Sequence, residues 1–363
     1  MNIIDINMTR RRLLKYGAAG LGLAATAGMF PAFADTIDDA DKAFSGPTIS
    51  GKKKDGPYRI GFANGFSGNS WRAMAIRALE LEAAAHPDLA ELIIVDGQGD
   101  ITKQVNDIES LISQQVDAIL VIANSGAAVV PALNAARQEG IVVAPFNLPI
   151  DGDGYDVYVG TNPEIKGASS GTWLRDALGG KGKVVALGGI AGNSYTAAGW
   201  AGAQKVLEGA GIEVLAFRDT DWSEDKAKVI MGDLIAAYPE IDGIWADGGQ
   251  VTAGASKALL AAGRPLVPVT GDDYNGLLKL YHAERANQPK FDIGLISEPT
   301  WEGVLALRNS LALLRGEELQ RDLIITPKLI TKDNYTTYMR PELADGVFVD
   351  TNLSTEELQK IFG

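Results

Sequence analysis

Arg59-Ile60-Gly61-Phe62-Ala63, Leu92-Ile93-Ile94-Val95 and Ala118-Ile119-Leu120-Val121-Ile122 are short, β-rich apolar runs. Between them, Trp71–Ala85 and Thr102–Gln115 carry helical spacing. Strands alternating with helices of this length make βαβ units, which demand parallel pairing. The rhythm continues outward through apolar runs at Ile141–Pro145, Val157–Gly160, Lys183–Leu187, Glu213–Phe217, Gly243–Ala246, Leu266–Thr270, Asp292–Ile296 and Leu323–Pro327. Helical segments separate most of them: Ala128–Glu139, Glu164–Leu178, Thr196–Gly209, Asp225–Ala237, Thr252–Ala262 and Trp301–Leu314. So many units exceed one comfortable sheet, and the prediction is an α/β protein of two doubly wound parallel-sheet domains. Two sets of similar rhythm, about Tyr58–Gly160 and Gly182–Asp273, put the carboxyl ends of their strands opposite one another across a cleft. Open α/β sheets bind ligands just outside those strand ends.

The start of the chain is of another kind. Residues 1–34 hold a basic start (Arg10, Arg11, Arg12, Lys15), an apolar small-residue stretch from Tyr16 to Phe30, and Ala32-Phe33-Ala34 before Asp35. This is the three-part pattern of a cleaved secretory signal. Thr9-Arg10-Arg11-Arg12-Leu13-Leu14-Lys15 is similar to the twin-arginine export consensus. The apolar run is short and glycine-rich for a span of ~20 residues, and no cysteine is present for lipidation. The expectation is a protein exported to the periplasm and not retained in the membrane. Residues 35–56, ending Gly51-Lys52-Lys53-Lys54-Asp55-Gly56, read as a polar linker.

The chain has 33 basic and 46 acidic residues; without the first 34, which carry four of the former and one of the latter, its formal charge is −16. Such a surface repels phosphate backbones and anionic lipid heads, which argues against nucleic acid and membrane surfaces as partners. Lacking cysteine, the chain can make neither disulfides nor thiolates. Only His86 and His282 could supply imidazole, so zinc catalysis and histidine acid–base chemistry start poorly placed. No cofactor and no metal site is expected.

From Tyr58 to about Thr331 the chain resembles the type I periplasmic sugar-binding proteins of ABC transporters, typified by ribose-binding protein. The residues carrying the resemblance are Ile60-Gly61-Phe62-Ala63-Asn64 with Gly68-Asn69-Ser70-Trp71-Arg72, then Asp100-Ile101-Thr102-Lys103-Gln104, Ile108-Glu109-Ser110-Leu111-Ile112 and Val116-Asp117-Ala118-Ile119-Leu120. Further along come Gly189-Ile190-Ala191-Gly192-Asn193-Ser194, Tyr238–Ala246, Gly271-Asp272-Asp273 and Ser297-Glu298-Pro299. The resemblance implies two lobes joined by a multi-strand hinge: residues 57–161 with 298–320, and residues 162–297 with 321–331. It leaves 332–363 as an extension beyond the family core.

A sugar offers hydroxyls and apolar C–H faces, and tight binding takes amides and carboxylates for the first and aromatic faces for the second. Position by position, the resemblance implies Asn69, Trp71 and Asn147 on one wall and Trp222, Asp273, Ser297 and Asn193 on the other or at the crossover. The sequence also departs from the family. Asn147-Leu148 stand where Asp-Arg is usual, Gly199 where an arginine is expected, and Gly248-Gly249 where Asn-Asp is expected. Arginine forks are the strongest paired donors available, so ribose or galactose identity does not transfer. Arg72, Asp247, Gln250 and Glu298 are the candidates to compensate.

Rival motifs fail on context. Gly167-Ala168-Ser169-Ser170-Gly171 matches the hydrolase nucleophile elbow, which needs a sharp strand-to-helix turn. Here Asn162-Pro163-Glu164 starts the helix earlier and leaves Ser169 inside it. Asp151–Asp156 lacks the ligand set of a calcium loop. A transcription regulator of the same fold would need a basic helix-turn-helix where residues 1–56 offer an export signal. The function expected is solute binding rather than catalysis: a small sugar or polyol delivered to an ABC permease, or alternatively sensed on behalf of a membrane receptor or kinase.

Overall fold

The computed structural model describes residue 37 and residues 40–363; the export signal expected over 1–34 lies outside the described residues. The first half runs β1 (Lys42–Ser50), β2 (Tyr58–Asn64), α1 (Ser70–Ala85), β3 (Leu89–Asp96), α2 (Ile101–Ser113), β4 (Ala118–Ile122), α3 (Val130–Gln138), β5 (Val142–Pro145) and β6 (Tyr158–Gly160). Strands β3-β2-β4-β5 form a wholly parallel sheet in that order. Every residue of β4 and all but one of β2 are buried, as expected of a parallel sheet covered on both faces. Ile108, Leu111, Ile119, Val121, Leu133 and Val143 make the core beneath α2 and α3.

The second half runs α4 (Pro163–Ala177), β7 (Lys183–Gly188), α5 (Ser194–Gly209), β8 (Glu213–Asp219), α6 (Glu224–Ala237), β9 (Gly243–Ala246), α7 (Gly249–Ala261), β10 (Val269–Gly271), α8 (Asn275–Glu284) and β11 (Ile293–Ile296). The chain then returns through α9 (Glu302–Leu314) and β12 (Glu318–Ile325) before β13 (Leu329–Thr331), α10 (Tyr335–Tyr338) and α11 (Thr355–Phe362). The second sheet is ordered β13-β11-β10-β9-β7-β8, parallel except for β13. Trp245 is 1% exposed in its core, with its ring 5.0 Å from that of Trp200. The protein is thus two doubly wound parallel-sheet domains. The chain passes between them after β6, after β11 and after β12.

Three local expectations are corrected. Residues 42–50, read as part of a linker because they are polar, form β1, which pairs antiparallel with β12; none of its nine positions is buried, so its sequence carries no apolar alternation. β12 pairs in parallel with β6, and a bridge between Phe146 and Val159 brings β6 to the first sheet. Residues 321–325 therefore belong with the first lobe, and the third crossing falls at 326–328. The strand read at Leu266–Thr270 begins only at Val269, because Pro265 and Pro268 have no N–H to donate to a ladder.

Candidate functional site

Strand-to-helix loops carry the polar groups, and helix caps fix them. Asn69 accepts from the Arg72 N–H (2.9 Å) to cap α1, and Asn162 accepts from the Ile165 N–H (3.0 Å) to cap α4. Those caps set the rotation of each first turn, and so aim Arg72 and Lys166 into the space between the lobes. There a cavity is lined by Asn69, Trp71, Arg72, Asn147 and Leu148 from the first lobe. Lys166, Tyr195, Trp222, Asp247, Gln250 and Asp272 line it from the second, with Glu298 at the crossing and Phe348 from the C-terminal segment. A cleft between two lobes is a common seat for a small molecule.

Glu298 organises the floor. Its carboxylate accepts from Asn147 Nδ2 (2.7 Å) and the Tyr195 hydroxyl (2.8 Å), and pairs with Lys166 Nζ. Lys166 also donates to the Tyr195 oxygen (3.1 Å). Burial pulls the Lys166 ammonium down, but the Glu298 charge, aided by Tyr195 and Asp272, outweighs it and holds the group well above its usual value. The Glu298 carbonyl accepts from the Trp71 indole N–H (2.9 Å), which locks that ring. Arg72 lies 5.2 Å above the Trp71 ring; burial lowers its guanidinium to about 9, and its Nη1 has no protein partner.

On the facing wall, Trp222 is held as firmly. Its indole N–H donates to Asp247 Oδ1 (3.1 Å), whose Oδ2 accepts from the Thr196 hydroxyl (2.7 Å). A Cβ at Gly189 would lie 2.1 Å from the indole, so only glycine lets the ring lie flat there. Trp222 has φ +50°, Asp221 +53° and Asn147 +61°, left-handed values that cost non-glycine residues about 1–3 kcal/mol each. Two of these three residues line the cavity, which places the strain at the site. Burial raises the Asp247 carboxyl to about 6, and that of Asp272 well above its usual range. Gln250 donates to the Trp222 carbonyl (3.2 Å), leaving its Oε1 without a protein partner.

Of the ten residues expected from sequence, Asn69, Trp71, Arg72, Asn147, Trp222, Asp247 and Glu298 come together around the cavity. Three do not. Asp273 is spent on backbone, accepting from the Glu298 N–H (2.8 Å) and the Asp350 N–H (2.6 Å). Ser297 braces the crossing, with its hydroxyl accepting from the Lys328 N–H (3.0 Å). Asn193 caps α5 through the Tyr195 and Thr196 N–H groups and reaches the Asn124 carbonyl at 3.4 Å. The sequence reading missed Lys166, Tyr195, Asp272, Leu148 and Phe348. Lys166 was foreseeable, since the Asn162-Pro163 cap fixes its place one turn into α4. Phe348 carried no local signal. Gln104, in the most distinctive stretch of the sequence, is structural: its amide donates to the Ala63 and Ile122 carbonyls (3.2 and 2.8 Å) and ties the ends of β2 and β4.

Two doubly wound lobes, three crossings and a cavity lined from both sides define a type I periplasmic binding fold. The chain belongs to the family described as periplasmic binding protein domain, which matches residues 60–318. It is similar to the xylitol-binding protein of Mycolicibacterium smegmatis, 29% identical over 288 residues that span 77% of this chain and 81% of the relative. It is also similar to the ribose import binding protein of Bacillus subtilis, 25% identical over 286 residues, 79% of this chain and 90% of the relative. Among solved structures, an ABC transporter solute-binding protein from Mycobacterium smegmatis with bound glycerol superposes with a TM-score of 0.70 at 25% identity, covering 78% of this chain and 98% of the other.

Proposed function

We propose that this chain is the exported solute-binding component of an ABC importer, and that it takes a small uncharged polyol or sugar into the cavity between its lobes. The carrying observation is the composition of that one cavity: Trp71 and Trp222 fixed by their own indole hydrogen bonds, surrounded by amides, carboxylates and cations from both lobes. Fixed rings suit the C–H faces of a polyol, and the polar groups suit its hydroxyls. Charge argues for a neutral guest. Arg72 and Lys166 are balanced by Glu298 and Asp247, while burial holds Asp272 well above the usual carboxylate range. The names of the relatives, xylitol-binding and ribose import binding, fall in the same solute class.

In this reading the solute bridges Asn69, Trp71, Arg72 and Asn147 to Trp222, Asp247 and Gln250, and its differential contacts favour the closed arrangement of the lobes. The solute leaves chemically unchanged, handed to a permease that reads the closed rim. The leader over residues 1–34 would direct the folded chain to the periplasm by the twin-arginine route. No helix among the described residues is long and apolar enough to cross a membrane. A thermal-shift screen of the chain from Asp35 onward against xylitol, ribose, myo-inositol and glycerol tests the ligand class. A cognate solute at ~100 times its Kd stabilises by roughly 2.7 kcal/mol. A flat response to this panel and to wider sets of sugars and polyols overturns the proposal.

A further inference from the structure

Residues 339–363 lie beyond the stretch that matches the family, and they touch everything that has to move. Their first part is anchored to the second lobe. Asn275 Nδ2 donates to the carbonyls of Arg340 (2.8 Å), Leu343 (3.3 Å) and Ala344 (3.1 Å), and its own N–H donates to the Val347 carbonyl (2.8 Å). The middle crosses the hinge: the Val349 N–H donates to the Asp273 carbonyl (3.1 Å), and the Thr300 N–H donates to the Asp350 carbonyl (3.1 Å). Asp350 Oδ1 also takes the Trp301 indole N–H (3.2 Å). The last part rests on the first lobe, where α11 lies on α1 and Glu357 accepts from Arg77 Nε at 2.7 Å. Gly346 is pressed between α11 and α1; a Cβ there would lie 2.8 Å from the Phe362 ring and 3.5 Å from the Ser70 Cβ. Between the two anchors stands Phe348. It is 1% exposed, its N–H points at the Met74 sulfur (3.4 Å), its ring packs edge-on to Tyr274 (5.8 Å between centroids), and it lines the solute cavity.

We propose that this segment is a strap belonging to the binding machinery: Phe348 is a third aromatic contact for the solute, and the anchors on α8 and α1 limit how far the lobes part. The contact half rests on the solute-binding reading; the tether half does not. A hinge of three crossings alone leaves the lobes free to swing about one axis. A fourth connection, fixed to both sides of the cleft, shortens that swing and keeps Phe348 at the cavity.

Two measurements test it. In calorimetry, Phe348→Ala weakens binding about 5-fold or more for whichever of xylitol, ribose and myo-inositol the unaltered chain binds, from the usual worth of an aromatic contact, while Phe348→Leu loses less. Equal affinity of Phe348→Ala and the unaltered chain overturns the contact. The chain has no cysteine of its own, so Glu109→Cys on α2 and Lys205→Cys on α5, both exposed, give a clean spin-label pair across the lobes. In the ligand-free protein, Leu358→Asp, which forces a charge beneath α11, lengthens and broadens that distance, and Leu358→Met does not. Gly346→Val, driven into Phe362, does the same without burying a charge. An unchanged distance in both overturns the tether. If no solute in the panel or in the wider sets of sugars and polyols binds, the solute-binding reading fails and the distance alone decides the strap.

Discussion

Trp222 concentrates the residue-scale physics. A bulky side chain at φ +50° persists only where its surroundings over-determine it. Here they do so through the Asp247 acceptor, the flat seat at Gly189 and the Gln250 amide on its carbonyl. Such strain is retained at sites that use the side chain it displays. Trp222→Ala is therefore expected to weaken solute binding by at least ~1 kcal/mol, about 5-fold in Kd, with little loss of fold. Calorimetry that returns an unchanged Kd removes the indole from the site. Trp71 and Trp222 were legible in the sequence because each sits among loop residues, Gly-Asn-Ser before one and Thr-Asp before the other. Asp273 misled for the opposite reason. It stands beside Asp272 at a strand end facing the cleft, and nothing local tells that the strap's Asp350 N–H occupies its second oxygen. The acid lining the cavity is its neighbour.

At the scale of elements, the run Gly167-Ala168-Ser169-Ser170-Gly171 finds its meaning. It lies inside α4, where the Ser170 hydroxyl accepts from the Trp245 indole (2.9 Å). Its glycines serve contact between helices. A Cβ at Gly167 would lie 1.8 Å from the Gly199 carbonyl oxygen, one at Gly171 2.9 Å from the Ala203 Cα, and one at Gly202 2.2 Å from the Glu164 carbonyl oxygen. α4 and α5 thus touch backbone to backbone. Gly199, standing where an arginine was expected, is part of that contact, and the positive charge reaches the cavity from Lys166 on the partner helix instead. Because backbone cannot yield as a side-chain tip can, Gly167→Ala should destabilise by about 1–3 kcal/mol, read as a lower urea midpoint at unchanged slope. An unshifted midpoint would refute the close approach. Element positions were otherwise readable, since buried parallel strands such as β4 are continuous apolar runs. α8 and α11 escaped notice; α11 is short and mostly solvated.

At the scale of the whole molecule, the charge buried between the lobes sets a pH dependence. Burial raises the Asp247 carboxyl to about 6; burial together with Asp350 raises that of Asp273 to about 7. Both exceed the ~3.9 of an unfolded aspartate. Between those values the folded chain holds more protons than the unfolded one, so stability is greatest at the acid end and falls as pH rises through the window. Carboxyls held down in the folded protein, such as Glu82 beside Arg308 and His86, change protonation below about pH 5 and do not oppose this trend above it. The thermal midpoint is accordingly expected to be higher at pH 5.5 than at pH 8, with a smaller difference in Asp247→Asn. A midpoint that climbs over that range would show these acids to be fully ionised in the native state.

The strand β1 carries one more consequence. A row of unpaired N–H and C=O groups along the margin of a sheet invites another molecule to add its own strand. β1 occupies that margin beside β12, and its register breaks between Ser45 and Thr48, where Gly46 turns at φ +76° and Pro47 has no proton to give. Asp322 crowds the inside of the break, so the irregularity is held from beneath. An incoming chain finds its template interrupted halfway. A polar stretch that reads as mere spacer thus works as a selvedge, a margin that offers a neighbouring strand no continuous row of donors and acceptors.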